Sequence, residues 1–88
     1  MYMPATIKLE NVLKISNVGN IGIISVVDGA LKPKMKAKLG DDEITIHSIE
    51  LNKEKVSQAT PGDMYGALLD GSHFNILQEF KGKTIKFK

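Results

Sequence analysis

Residues 60–71 form the stretch TPGDMYGALLDG, which indicates how the rest of the chain folds. Pro61 and Gly62 are the residues that a type II turn prefers at its two central positions. The apolar segment 64–69 follows, and Asp70-Gly71 is a second turn signal. A mid-strand glycine costs stability, so Gly66 marks a place where backbone or ligand approaches closely. We therefore predict a short strand between two turns.

Turn-forming residues recur along the whole chain, where glycine and proline separate short segments of alternating apolar residues. This alternation is typical of strands. The segment 21–27 is apolar on both faces, which favours a central position in the sheet. An open sheet of this size leaves two exposed edges, and closure into a barrel removes them. We predict strands at 5–16, 21–27, 35–39, 43–52, 56–59, 64–69 and 83–88, and irregular structure or one helical turn at 72–80.

Two of these strands change the face on which their apolar residues lie. In the first strand the change falls at Asn11-Val12, and in the fourth it falls at His47-Ser48. A one-residue change of phase exchanges the two faces of a strand unless a β-bulge absorbs it. We predict a bulge at each place.

Composition limits the classes of function. The 88 residues are 42% hydrophobic and carry a net charge of +2, which is typical of one small globular domain spanning residues 1–88. There is no cysteine, which excludes disulfides and thiolate metal sites. The longest apolar stretch is too short to span a bilayer, and the first residues lack a signal-peptide pattern. We expect a cytoplasmic protein with no membrane partner.

All twelve basic residues are lysines. Bidentate recognition of guanine or phosphate depends on arginine, whereas lysines bind polyanions with little sequence preference and strong salt dependence. We expect no DNA partner. The richness in lysine has an equally good explanation in the codon usage of an AT-rich genome.

No catalytic pattern is present. The chain lacks a phosphate-binding P-loop, a dinucleotide-binding glycine fingerprint and a nucleophile elbow. His47 and His73 are expected to be surface or structural residues. The acidic run 41–43 is expected to be solvated turn residues rather than metal ligands. We expect no enzymatic activity, no metal and no cofactor.

The order of the motifs resembles a known family. The chain carries an alternating first strand, Val18-Gly19, a second apolar strand, the segment DGALKP at 28–33, IELNK at 49–53 and ATPGDMYGALLDG at 59–71. This pattern, over about residues 7–87, resembles the second domain of elongation factor Tu and its relatives, which include the elongation factor 1-alpha group. The resemblance implies an all-β fold: a closed six- or seven-stranded antiparallel Greek-key barrel of the translation-protein type.

The chain also departs from this family. Lys34 stands where the family usually has a glycine, and the turn 16–19 lacks the first of its two usual glycines. The segment after Gly71 lacks the usual arginine. The GTPase and third domains are absent from the sequence, so we expect a stand-alone barrel.

The resemblance implies a site for the terminal adenosine of a tRNA acceptor end. The family contacts fall on Glu10, Ile15, Glu50, Gly66 and Leu68. The alternative is that the two glutamates are solvated acids on the barrel rim and that Ile15 and Leu68 are core residues. A concave pocket with both acids at its mouth favours adenosine, whereas a flat surface favours a scaffold.

Two functions remain open. The first is a translation-associated module that binds tRNA or the ribosome through that pocket and through lysines on two strands, Lys34, Lys36 and Lys38 on one and Lys86 and Lys88 on the other. The second is a protein-interaction module that docks a separate GTPase or translation-factor chain, or self-associates. For the second we expect an exposed apolar patch at Phe74, Ile76, Leu77 and Phe80.

Overall fold

A computed structural model describes residues 4–71 and 74–88, and most of these residues lie in antiparallel strands. The elements are β1 (Ala5–Ile15), β2 (Gly19–Asp28), β3 (Lys36–Leu39), β4 (Asp42–Leu51), β5 (Glu54–Val56), β6 (Met64–Asp70), the short helix α1 (Phe74–Glu79) and β7 (Thr84–Phe87).

The strands close almost completely into a barrel. Their order is β3-β4-β6-β2-β1-β7, and β5 pairs with β4 outside this path. The two ends of the path meet at Lys36 and Lys88. The Lys36 N–H donates to the Lys88 carbonyl over 2.8 Å, and the Lys88 N–H donates to the Lys36 carbonyl over 2.7 Å. The predicted antiparallel barrel of six or seven strands is confirmed, with β2 central as expected.

Both predicted bulges are present. The β1–β2 register shifts between Leu9 and Asn11, and the β4–β6 register shifts between Ile46 and Ser48. Each bulge exchanges the inward and outward faces of the strand that follows it. Ile49 therefore continues the buried row of β4, and Glu50 points outward.

The interior is aliphatic, with Phe87 at one end of β7 as a fully buried aromatic residue. The strands and loops supply the fully buried large side chains Ile7, Leu9, Ile24, Leu31, Ile44, Ile46 and Ile49. An isolated bridge between Leu31 and Ala59 ties the two longest connections together.

The prediction of an exposed apolar patch on α1 is wrong. Leu77 is 0% exposed, and Phe74, Ile76 and Phe80 pack against the core. The segment that follows the helix in sequence is bound to β1, because the Gly82 N–H donates to the Leu9 carbonyl over 2.6 Å. The apolar residues of this segment therefore cover the barrel instead of forming a free surface.

The prediction for β5 is also wrong in its bounds. Asn52 and Lys53 both have positive φ, +53° and +69°, and form a two-residue turn that returns the chain against β4. This is the backbone pattern of a type I′ hairpin, in which glycine is usual and absent here. Strand pairing therefore begins at Glu54, in the predicted loop, and ends at Val56.

Lys34 does not belong to the strand that carries Lys36 and Lys38. It lies in a turn with φ +78°, and its N–H donates to the Ile46 carbonyl over 2.7 Å. A left-handed conformation is one that glycine adopts without strain. Lys34 thus has a backbone conformation that suits glycine, the residue usual at this position in elongation factor Tu and its relatives.

Candidate nucleic-acid interface

A cleft of about 230 Å³ opens on the outer face of the barrel, across β1, β2, β4 and β6. Four of the five residues predicted for the adenosine site line it. The full lining is Ile15, Val18, Ile21, Ser48, Glu50, Gly66 and Leu68. The structure thus brings Ile15, Glu50, Gly66 and Leu68 together at one surface.

Strand register explains why these residues meet. Leu68 pairs with Ile21 on β2 and with Ser48 on β4, while Gly66 pairs with Glu50. Residues paired on neighbouring strands present their side chains on the same face. The cleft is thus a patch of the outer sheet surface.

Ile15 and Leu68 are not core residues, contrary to the alternative expectation. Ile15 is 44% exposed, and Leu68 is half-buried. The β1 bulge is the cause for Ile15, since Val12 takes the inward position after it and Leu13 and Ile15 point outward. Their exposed side chains supply apolar walls.

Gly66 leaves the floor of the cleft open. A Cβ atom built on it would have a single neighbour within 4 Å, the Cγ2 of Ile21 at 3.8 Å. There is therefore room above this backbone for an added atom or for a ligand. Beyond its two chain neighbours, no backbone atom of the described residues lies within 4 Å of that position, so the approach predicted from a mid-strand glycine is left to a ligand.

As far as the structure describes the chain, the cleft has a carboxylate and no cation. Glu50 is exposed, Ser48 is half-buried, and no lysine is among the lining residues. An ionised carboxylate only accepts hydrogen bonds. The cleft is therefore suited to a flat apolar group that carries hydroxyl or amine donors, and it disfavours phosphate.

Glu10 lies outside the cleft. The Ser25 hydroxyl donates to Glu10 Oε2 over 2.7 Å, and Lys8 Nζ is 3.8 Å from Glu10 Oε1. The structure thus brings one of the two predicted acids, Glu50, to the cleft and leaves the other on the outer face of β1 and β2.

Four of the five predicted lysines surround a second depression, of about 380 Å³, where β3 and β7 meet. Its lining is Lys36, Ala37, Lys38, Glu43, Lys86 and Lys88. Lys34 is exposed and does not line it. The sequence predicted two separate rows, and barrel closure makes them one surface.

Sequence reasoning missed three lining residues of the cleft, Val18, Ile21 and Ser48. Val18 offered a signal, because it is an apolar residue inside a predicted turn, and it is 54% exposed. Ile21 was expected only as part of a central strand, and Ser48 only as part of a bulge.

The remaining candidates form no further site among residues 4–71 and 74–88. His47 Nδ1 is 3.4 Å from Asp70 Oδ2, and both side chains are more than half exposed. His73 lies outside the described residues. Within those that are described, no group of three or more His, Asp or Glu residues could hold a metal ion, and no helix is long and apolar enough to cross a membrane.

The chain is similar to elongation factor 1-alpha. It is 31% identical over 65 residues to the proteins of that name from Neurospora crassa, Sordaria macrospora and Coccidioides immitis. The similarity covers 72% of this chain and 14% of each relative, so the chain matches a small part of those proteins. No family model matches it. The similarity supports a translation-factor-like module.

Proposed function

We propose that this barrel is a non-catalytic RNA-binding module of protein synthesis, whose cleft receives the terminal adenosine of a tRNA acceptor end. One observation carries the proposal. Ile15, Glu50, Gly66 and Leu68, the residues that the resemblance to elongation factor Tu domain 2 assigns to this role, line one cleft although they come from three strands.

The shape and polarity of the cleft suit one base and its ribose. At about 230 Å³ it is smaller than the roughly 300 Å³ at which pockets for drug-sized ligands begin. The aliphatic walls of Ile15 and Leu68 pack on the faces of the base, and the open floor at Gly66 admits its edge. Glu50 accepts hydrogen bonds from ribose hydroxyls or from the exocyclic amine.

The similarity to elongation factor 1-alpha supports the setting in protein synthesis. It makes tRNA, the ribosome, or a separate GTPase or translation-factor chain the partners to test, and it makes the cytoplasm the proposed location. The cleft alone gives modest affinity, since phosphate contacts dominate the affinity of proteins for nucleic acids.

The test uses three fluorescently labelled hairpin RNAs with identical single-stranded 3′ tails, measured by anisotropy. One ends in adenosine with a free 3′-hydroxyl, one in uridine, and one in adenosine carrying a 3′-phosphate. We expect the phosphate to weaken binding about tenfold, about 1.4 kcal/mol, because it meets the Glu50 carboxylate. We expect the uridine end to bind more weakly than the adenosine end.

The matched variant is Glu50→Gln, which keeps the shape of the side chain and removes its charge. It should bind the 3′-hydroxyl and 3′-phosphate RNAs with similar affinity. Equal affinity of the wild-type protein for all three RNAs would overturn the proposal.

A second candidate function is a protein-interaction module. Val18 is an exposed apolar residue at the cleft, and Leu13 and Met64 are exposed apolar residues outside its lining. An apolar surface of this kind also suits a protein partner or a second copy of the chain. Light scattering of the purified protein decides on self-association: a concentration-dependent dimer that Val18→Ser abolishes favours this function, and a monomer at all concentrations excludes self-association.

A further inference from the structure

We propose that Lys36, Lys38, Lys86 and Lys88 form a phosphate-backbone site for single-stranded RNA, which we name the lysine seam. This inference rests on the proposed RNA-binding function and adds a second contact surface with the opposite chemistry. The cleft disfavours phosphate and accepts the end of a chain, whereas the seam attracts the phosphates that precede that end.

The geometry of the seam follows from barrel closure. Lys36 and Lys88 exchange both backbone hydrogen bonds, which defines a directly opposed antiparallel pair with Cα atoms about 5.5 Å apart. Lys38 and Lys86 are the next exposed residues of the two strands. Ala37 and Phe87, between them, are buried in the core. All four lysine side chains are therefore on the outer face, and all four line one depression.

This arrangement of charge is unfavourable in the free protein. Like charges directly opposite each other on neighbouring strands destabilise a sheet. Among the described residues, Glu43 is the one acid that lines the depression; it is paired in register with Lys38 and lies 4.0 Å from Lys36, and the side chains of Lys36 and Glu43 are more than half exposed. An exposed pair of this kind contributes little. A bound polyanion removes the repulsion, so the seam gains more from binding than scattered lysines do.

The lining of the seam selects a phosphate backbone rather than bases. Among residues 4–71 and 74–88, Ala37 is the one apolar residue of the lining, and no aromatic side chain lines the seam to stack a base. Lysines two residues apart on a strand are separated by about 6.6 Å, a spacing that suits consecutive phosphates of an extended single strand. Without arginine the contacts read no sequence.

The strand β4 connects the two surfaces. Glu43 lies at the seam, whereas Ser48 and Glu50 lie at the cleft. Seven residues of strand span at most about 23 Å, and the bulge at His47 shortens this distance. A short single-stranded tail whose terminal base occupies the cleft therefore reaches the seam with the nucleotides that precede it.

The test compares two double variants of equal net charge. Lys36→Gln/Lys88→Gln removes half of the seam, and Lys53→Gln/Lys81→Gln removes two exposed lysines that line neither surface. Affinity for the adenosine-ended RNA is measured by anisotropy across a salt series. Log K falls linearly with log salt, and each lost phosphate contact makes this negative slope shallower by about 0.7 for a single strand. We expect the slope of the seam variant to be shallower than that of the wild type by about 1.4, and the slope of the control variant to be unchanged.

A second measurement separates a binding role from a structural one. In the absence of RNA the seam variant should melt at the same or a higher temperature than the wild type, because a like-charge pair is gone. Lysines that served the fold would lower both stability and affinity.

The possible failures are distinguishable. An unchanged salt slope in the seam variant overturns the seam and leaves the cleft in place. A reduced slope with no discrimination between terminal hydroxyl and phosphate in the wild type overturns the cleft alone. Equal affinity of the wild type for poly-glutamate of the same charge overturns the assignment of the seam to RNA and points to an acidic protein.

Discussion

Replacing Gly66 with alanine separates the stability of the barrel from the use of its cleft. A Cβ at this position has the Ile21 Cγ2 at 3.8 Å as its nearest neighbour, an ordinary van der Waals distance. Glycine inside a strand costs roughly 0.5–1 kcal/mol relative to alanine. We therefore expect Gly66→Ala to raise the free energy of unfolding by that amount. For a domain of this size, this corresponds to an increase of about 2–8 °C in Tm.

The same methyl group should weaken RNA binding. It stands on the floor of the cleft, where the base edge comes closest to the backbone. If the methyl group displaces the base by about 0.5–1 Å, each van der Waals contact between the base and the cleft loses a quarter to a half of its energy. Summed over the contacts of one base, this loss should weaken RNA binding five- to tenfold, about 1–1.4 kcal/mol. Thermal denaturation and anisotropy with the adenosine-ended RNA measure the two effects.

Gly71 provides the control for this substitution. It has φ +99°, and a Cβ on it would collide with the carbonyl oxygen of Glu43. Gly71→Ala should therefore destabilise the barrel by more than about 1 kcal/mol. A lower Tm for Gly66→Ala would refute the inferred space at the cleft floor. A higher Tm with unchanged RNA affinity would show that the ligand does not reach that floor.

Three further tests probe other parts of the structure. Lys34→Gly should relieve about 1–2 kcal/mol of left-handed backbone strain and cost about 0.4–1 kcal/mol, because glycine raises the entropy of the unfolded chain. We therefore expect urea denaturation to show a free energy of unfolding higher by about 0.5–1 kcal/mol. A lower value would contradict the strain at Lys34. Leu77→Ala should cost about 2–5 kcal/mol in the same assay and Val27→Ala less than about 0.5 kcal/mol, and similar values would mean that α1 is not docked. Glu10→Gln should preserve the discrimination between terminal hydroxyl and phosphate that Glu50→Gln removes, and loss of it would place Glu10 at the ligand.

The strands were predictable because turn residues and alternation are local signals. The turn at Pro61-Gly62 and the strand at Met64–Asp70 follow from their own residues, and Gly62 has the positive φ that a type II turn requires. The hairpin at Asn52-Lys53 was missed because the prediction depended on such local signals. The two residues with positive φ are asparagine and lysine, and neither is the glycine that usually marks this turn.

The orientation of the cleft residues was harder to predict. A bulge at Asn11-Val12 was expected because Val12 breaks the apolar alternation, yet Leu13 and Ile15 return to the parity of Ile7 and Leu9. That parity favours burial for all four. The structure buries Val12 instead, so the bulge decides the outcome and leaves Ile15 at the surface.

The lysine seam depends on long-range pairing. No local pattern shows that the strand with Lys36 and the strand with Lys86 are neighbours, because barrel closure brings them together from distant parts of the chain. The sequence could predict exposure of each lysine row but not that the two rows share one depression.

The bulge in β4 makes the length of this strand as important as its composition. Removal of His47 would only delete the extra residue of the bulge, and Ile49 would stay inward with Ser48 and Glu50 outward. Insertion of one residue between Ser48 and Ile49, with the bulge kept, would instead turn Ile49 outward and Glu50 inward. The core would then receive a carboxylate, and the cleft would lose its acid. Exchanges of side chains around the cleft can therefore be tolerated, whereas a single-codon insertion after the bulge would disrupt the core and the site together.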